Sequence, residues 1–236
     1  MVKKGADIFR MAALDCVKKE GRFVVAISGG STPRPMHRLL AEDPYYSEIP
    51  WDKTDLFWVD ERCVPEDDPA SNFGAAKQNL LNRVPIPVAQ VHPMPGDLSP
   101  EEGALTYERE MKDYFRVKEG EFSVFDLIYL GLGNDGHTAS LFPGHKALEE
   151  TKRLVVAVKG GDPHVSRITM TYPVLNHARQ IVFMVSGKGK SPVLKTLFEN
   201  GKDLLPAQRV RPFQGKTTWL LDREAASLLS EDMVHD

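Results

Sequence analysis

Seven short runs of apolar and β-branched residues punctuate the chain: 22–28 (RFVVAIS), 55–60 (DLFWVD), 125–132 (FDLIYLGL), 153–159 (RLVVAVK), 166–172 (SRITMTY), 180–187 (QIVFMVSG) and 217–222 (TTWLLD). Most are apolar at successive positions and do not alternate, the pattern of strands buried on both faces. The segments between them predict helices over 34–41, 72–82, 100–116, 191–199 and 223–229, and the opening stretch MVKKGADIFRMAALDCVKKEG reads as an amphipathic helix. Strands alternating with helices predict an α/β fold, a doubly wound, mostly parallel, Rossmann-like sheet flanked by helices. A chain of 236 residues is long enough for one such domain, expected over 1–236. The Pro-rich stretch 83–100 reads as a surface connection, and no internal repeat is present.

Ligands of such sheets bind beyond the carboxyl ends of the strands. Four polar clusters directly follow strands and are expected to share one rim: SGGSTP (28–33), DERC (60–63), GNDGH (133–137) and GKGK (187–190). Composition narrows what that rim can hold. With 42% hydrophobic and 27% charged residues the chain is an ordinary globular protein, and 30 basic against 33 acidic residues give a net charge of −3. That is not the basic excess of a nucleic-acid binder, so an anionic ligand must be held by a local cluster of donors. No apolar run approaches the length of a membrane span, and the N-terminal stretch lacks the uninterrupted apolar core of a signal peptide. Cys16 and Cys63 are isolated, which fits a reducing compartment. A cytoplasmic protein, monomeric or a small homo-oligomer, is expected.

Gly29 and Gly30 let backbone amides approach a ligand, and Pro33 suits a first helical turn. Gly29, Gly30, Ser31 and Thr32 therefore form a candidate phosphate cradle. The same residues also make an ordinary βα turn with Ser31 or Thr32 as N-cap. Lys188 can place a point charge on a phosphate, or it is a solvated surface lysine. Arg167 can grip a phosphate with two parallel hydrogen bonds, or it is a strand-edge charge.

Gly131, Gly133 and Gly136 fit G-x-G-x-x-G, but the dinucleotide reading fails. Asp135 would face the pyrophosphate, Pro143 follows soon after, and the next strand ends without an acid for a ribose hydroxyl. The alternative is a backbone turn presenting Asp135 and His137 to a cleft. Imidazole, with a pKa of about 6.5, exchanges protons near neutrality, and a carboxylate two residues away can fix its tautomer. At the neighbouring strand end Arg62 can stabilise an oxyanion, while Asp60 and Glu61 supply carboxylates. His37, His92, His145, His164, His177 and His235 are scattered without metal-ligand spacing, and no nucleophile elbow is present, so an activated water is the natural attacking group.

The segments VAISGGSTP, FWVDER…SNFGAAKQNLL and FDLIYLGLGNDGHTASLFPG resemble the 6-phosphogluconolactonases, within the wider group shared with glucosamine-6-phosphate deaminases. The similarity runs in order from about Arg22 to the C-terminal strand and is weakest over 83–100. It implies the sugar-phosphate isomerase/lactonase type of α/β fold and hydrolysis of 6-phospho-D-glucono-1,5-lactone, with no cofactor and no metal. Carried over by position, the resemblance makes His137 the catalytic histidine, with Asp135 beside it and Asp60, Glu61 and Arg62 at the strand end. It puts the phosphate cradle at Gly30 and Ser31, with Arg167 and Lys188 as clamps. The deaminase branch has an acid a few positions past the histidine and an aromatic after the Asp-Glu pair. Here TASLFPG contains no acid and Arg62 takes the aromatic's place. A sugar-phosphate-sensing domain, the other alternative, would keep the cradle and could dispense with His137.

Overall fold

Gly5, Ala6, Phe9 and Ala13 form the buried face of the first helix, α1 (Val2–Glu20), which stops where Gly21 adopts φ +76°. The computed structural model describes residues 1–199, 205–230 and 233. After α1 come β1 (Phe23–Ile27), α2 (Arg34–Leu40), α3 (Tyr45–Glu48), β2 (Thr54–Trp58), β3 (Asp60–Arg62), α4 (Asn72–Asn79), β4 (Val91–His92) and α5 (Pro100–Phe115). The second half contributes β5 (Leu127–Leu130), β6 (Val155–Gly160), β7 (Val165–Met170), α6 (Tyr172–Asn176), β8 (Gln180–Val185), α7 (Ser191–Glu199) and β9 (Lys216–Leu221).

Six strands form a wholly parallel sheet in the order β4-β2-β1-β5-β8-β9. The runs that are apolar at every position, FVVAI and LIYL, are its central strands and are buried throughout. Helix α1 lies across this centre: Phe9 meets Phe23 edge-on at 5.3 Å, and the Tyr129 hydroxyl donates to the Gly5 carbonyl at 2.7 Å. From β1 the chain builds outward through β2 to β4, then returns to place β5 on β1's other side. The winding direction therefore reverses between β1 and β5, and the loops leaving these two strands diverge to open a crevice there. SGGSTP and GNDGH are those two loops.

Three expectations are corrected. The runs at 153–159 and 166–172 do not join the parallel sheet. They become β6 and β7, an antiparallel hairpin that pairs with β3 in a separate sheet of order β3-β7-β6. The link between them is far too short for a parallel crossover, which needs a dozen or more residues. The segment 223–229 is a succession of turns and not a helix. Its bonds mix spans of four residues (Ala226 amide to Asp222) and three (Ser227 to Glu224, Leu229 to Ala226), too short a stretch to sustain a regular ladder. The stretch 83–100 supplies more than a connection, because β4 is the sheet's edge strand.

Candidate active site

Strands β3 and β7 and the loops after β1, β5, β6 and β8 line one cleft of about 680 Å³. It gathers Gly29, Gly30, Ser31, Thr32, Asp60, Arg62, Asp135, His137 and Arg167 from the residues singled out in the sequence. Lys188 is the exception: it is exposed and does not line the cleft, whereas Lys190 does. The chain turns at Gly187 (φ +93°) into a 3-10 turn over Lys188–Lys190, so residues two apart point in different directions. Burial lowers the pKa of Lys190, and the charge of Asp135 acts in the opposite sense.

His137 reaches the cleft on a loop that folds back on itself, its carbonyl accepting from the Gly133 amide at 2.8 Å. Gly133 has no alternative: a Cβ there would lie 2.1 Å from His137 Nδ1 and 2.7 Å from Asp135 Oδ1. No helix starts within 131–141, so the helix N-terminus that a dinucleotide fingerprint needs is missing there. Asp135 Oδ1 lies 2.6 Å from His137 Nδ1 and accepts from the His137 amide at 3.1 Å. Burial works against the ionised carboxylate, but the His137 amide and imidazole outweigh it and hold Asp135 below the ordinary aspartate pKa. An ionised partner makes Nδ1 the donor and leaves Nε2 as the basic nitrogen of a ring that lines the cleft. Phe142 buttresses that ring at 4.7 Å between centroids.

Another part of the cleft lining is cationic. Arg62 on β3 and Arg167 on β7 are register partners across the antiparallel ladder. Only 3% of Arg167 is exposed; Nε donates to the Gly160 carbonyl at 2.9 Å, Nη2 to that of Pro163 at 3.1 Å, and the guanidinium lies over Phe142. Burial first and the neighbouring Arg62 charge second lower its pKa, yet an arginine stays protonated at neutral pH. Arg62 is steadied by donating Nη1 to the Ala70 carbonyl at 2.5 Å. Two adjacent guanidinium groups with free donors on a cleft wall form an anion-binding surface.

The carboxylates of Asp60 and Glu61 are engaged differently. Asp60 accepts from Ser140 Oγ at 2.6 Å and from Asn72 Nδ2 at 3.4 Å. Glu61 accepts the amides of Arg62, Asn72 and Phe73 at 2.6–2.8 Å and so caps α4; burial pushes its pKa up to about 7 against those three donors. Asn72 packs so tightly on Gly29 that a Cβ there would fall 1.8 Å from its Oδ1. Asn72, Ser186 and Lys190 line the cleft without having been singled out in the sequence. For Lys190 the signal was present, since GKGK offers two lysines; Asn72 and Ser186 carry no chemistry that distinguishes them from ordinary polar residues.

Among the described residues no three His, Cys, Asp or Glu side chains are grouped to hold a metal ion, and no helix is long and apolar enough to cross a membrane. His235 lies outside the described residues.

Residues 1–219 match the family described as glucosamine-6-phosphate isomerases/6-phosphogluconolactonase. A 6-phosphogluconolactonase of Nostoc sp. is 40% identical over 98% of this chain and 94% of its own, and one from Rattus norvegicus is 38% identical over 95% and 88%. The crystal structure of 6-phosphogluconolactonase from Thermotoga maritima superposes with a TM-score of 0.81 at 32% identity, covering 93% of this chain and 94% of that one.

Proposed function

The chain belongs to the glucosamine-6-phosphate isomerase/6-phosphogluconolactonase family, and from that premise we propose that it hydrolyses 6-phospho-D-glucono-1,5-lactone to 6-phosphogluconate, a step of the oxidative pentose phosphate pathway. The observation that carries this reading is the 2.6 Å contact between His137 Nδ1 and Asp135, on a ring that shares its cleft with Arg62, Arg167 and Lys190.

In the mechanism we propose, His137 Nε2 takes a proton from water as the oxygen attacks the lactone carbonyl. Asp135 stabilises the imidazolium that forms, a general-base contribution of about 10² to 10⁴ in rate. Negative charge develops on the carbonyl oxygen, and Arg62 offsets it; one such donor is worth roughly 3 kcal/mol. As the tetrahedral intermediate collapses, the C1–ring oxygen bond breaks, and the imidazolium returns its proton to that oxygen, leaving an open-chain acid and a neutral histidine.

The distant phosphate orients the ester. Backbone amides around Gly30, φ +89°, with Ser31, Thr32, Arg167 and Lys190, supply donors without requiring a net basic protein. A doubly charged, readily hydrolysed substrate does not cross membranes, which supports a cytoplasmic enzyme. Mixing the protein with freshly generated lactone and coupling the product to its dehydrogenase tests the reading. Turnover well above the spontaneous rate, with no ammonia released from glucosamine 6-phosphate, is expected. Ammonia release at an enzymatic rate, without lactone turnover, would replace the lactonase by a deaminase.

A further inference from the structure

The cleft is built from two sheets. His137 stands on the loop leaving β5 of the parallel sheet, whereas Arg62 and Arg167 stand on β3 and β7 of the antiparallel one. A reaction that needs the base on one face of the carbonyl and a cation at its oxygen depends on the spacing between these bodies. Backbone bonds already join the sheets beneath the site, from the Val59 amide to Ile27 (3.0 Å) and the Met170 amide to Val59 (2.8 Å). Those bonds fix the small sheet; they do not touch the loop that bears the histidine.

Ser140 reaches across that gap. Its hydroxyl donates to Asp60 Oδ2 at 2.6 Å, and its amide donates to Thr169 Oγ1 at 3.1 Å. Ser140 and Thr169 are sealed at 0% exposure and Asp60, at the cleft, is 6% exposed; a hydroxyl-to-carboxylate bond this short is of the strong, charge-assisted kind. Of the loop's other polar bonds, those from Thr138 Oγ1 to the Gly131 carbonyl (2.9 Å) and from the Leu141 amide to Thr138 (3.0 Å) close on the loop itself, and the Gly136 carbonyl accepts from the Ala207 amide (3.0 Å), which ties it to the 206–209 turn and not to the arginine-bearing sheet. Between Thr138 and Ser140 the chain passes through Ala139 at φ +48°, a left-handed conformation that an alanine adopts only when its surroundings impose it. Ser140 itself does not line the cleft.

We infer that Ser140 is a positioning residue, a buried polar bolt between the His137 loop and the arginine-bearing sheet that sets the distance from base to oxyanion cation. The inference rests on the lactonase reading for its kinetic consequence, though the bolt itself does not. Losing it lets the histidine loop shift while the phosphate cradle and both arginines stay in place. A displacement of about 1 Å can cost on the order of 100-fold in rate.

The test compares the parent with Ser140→Ala and, should that variant fold poorly, Thr169→Val. It reads kcat on the lactone, the affinity for inorganic phosphate, and the NMR signal of the His137 Nδ1 proton. The expected result is kcat lower by roughly 10- to 100-fold, phosphate affinity within about twofold of the parent, and a shifted or exchange-broadened Nδ1 proton. A kcat within about twofold of the parent, or phosphate affinity falling in step with kcat, would overturn the inference. If the parent fails to turn over lactone, the functional reading falls, and the Nδ1 signal decides the bolt alone: unchanged in both variants, it refutes the inference.

Discussion

At His137 three local demands meet: a turn tight enough to fold back, a carboxylate within bonding distance of Nδ1, and room for the ring. Gly133 supplies the room and Asp135 the carboxylate. This pair was legible in the sequence because the chemistry and the backbone requirement fall within five residues. Lys190 was not legible in the same way, since only the course of the turn after Gly187 decides which lysine of GKGK faces the cleft. The distinction is measurable. Lys190→Ala is expected to raise KM roughly tenfold with kcat nearly unchanged, as loss of uniform binding does, and Lys188→Ala to leave both within about twofold. The opposite order in steady-state kinetics would return the phosphate contact to Lys188. Asn72 and Ser140 were inside segments that the resemblance had flagged, but their roles come from partners 12 and 80 residues away in the chain, which spacing does not reveal.

The central strands β1 and β5 were readable as elements because they are apolar at every position. β6 and β7 were readable as β-branched runs too, but only the shortness of the segment joining them distinguishes a hairpin from two parallel strands. The two-residue β4 was missed, being too short to leave any pattern. Its anchor is His92, which stacks on Phe57 at 4.1 Å and bonds Glu110 at 2.7 Å and Asp55 at 3.4 Å, with the Tyr114 ring packed edge-on against it. Burial alone would lower its pKa, but the two carboxylates outweigh it and raise it to about 8. A folded pKa above the unfolded value of about 6.5 gives stability that is fully present below about pH 6.5 and lost as pH rises through about 8. His92→Phe keeps the stacking and removes the titration. Denaturant unfolding at several pH values should therefore show the parent's advantage over this variant shrinking by up to about 2 kcal/mol across that window. An advantage independent of pH would mean that folding leaves the pKa of this imidazole unshifted.

For the molecule as a whole, the reversal of winding between β1 and β5 is what brings remote chemistry together. It opens the crevice where the glycine-rich loop after β1 and the histidine loop after β5 face each other, and the antiparallel sheet closes the third side with two arginines. The net charge of −3 is no obstacle, because Arg62, Arg167 and Lys190 are concentrated in one cleft. The doubly wound plan and the shared rim were legible from the alternation of strands and helices; the division into two sheets, and with it the junction at Ser140, was not.

The imidazole of His137 is the base proposed for that cleft, and the turnover of freshly generated lactone by His137→Ala tests that role most directly. Read above spontaneous hydrolysis, kcat should fall by on the order of 10³. A variant that retains turnover near the parent's would contradict it.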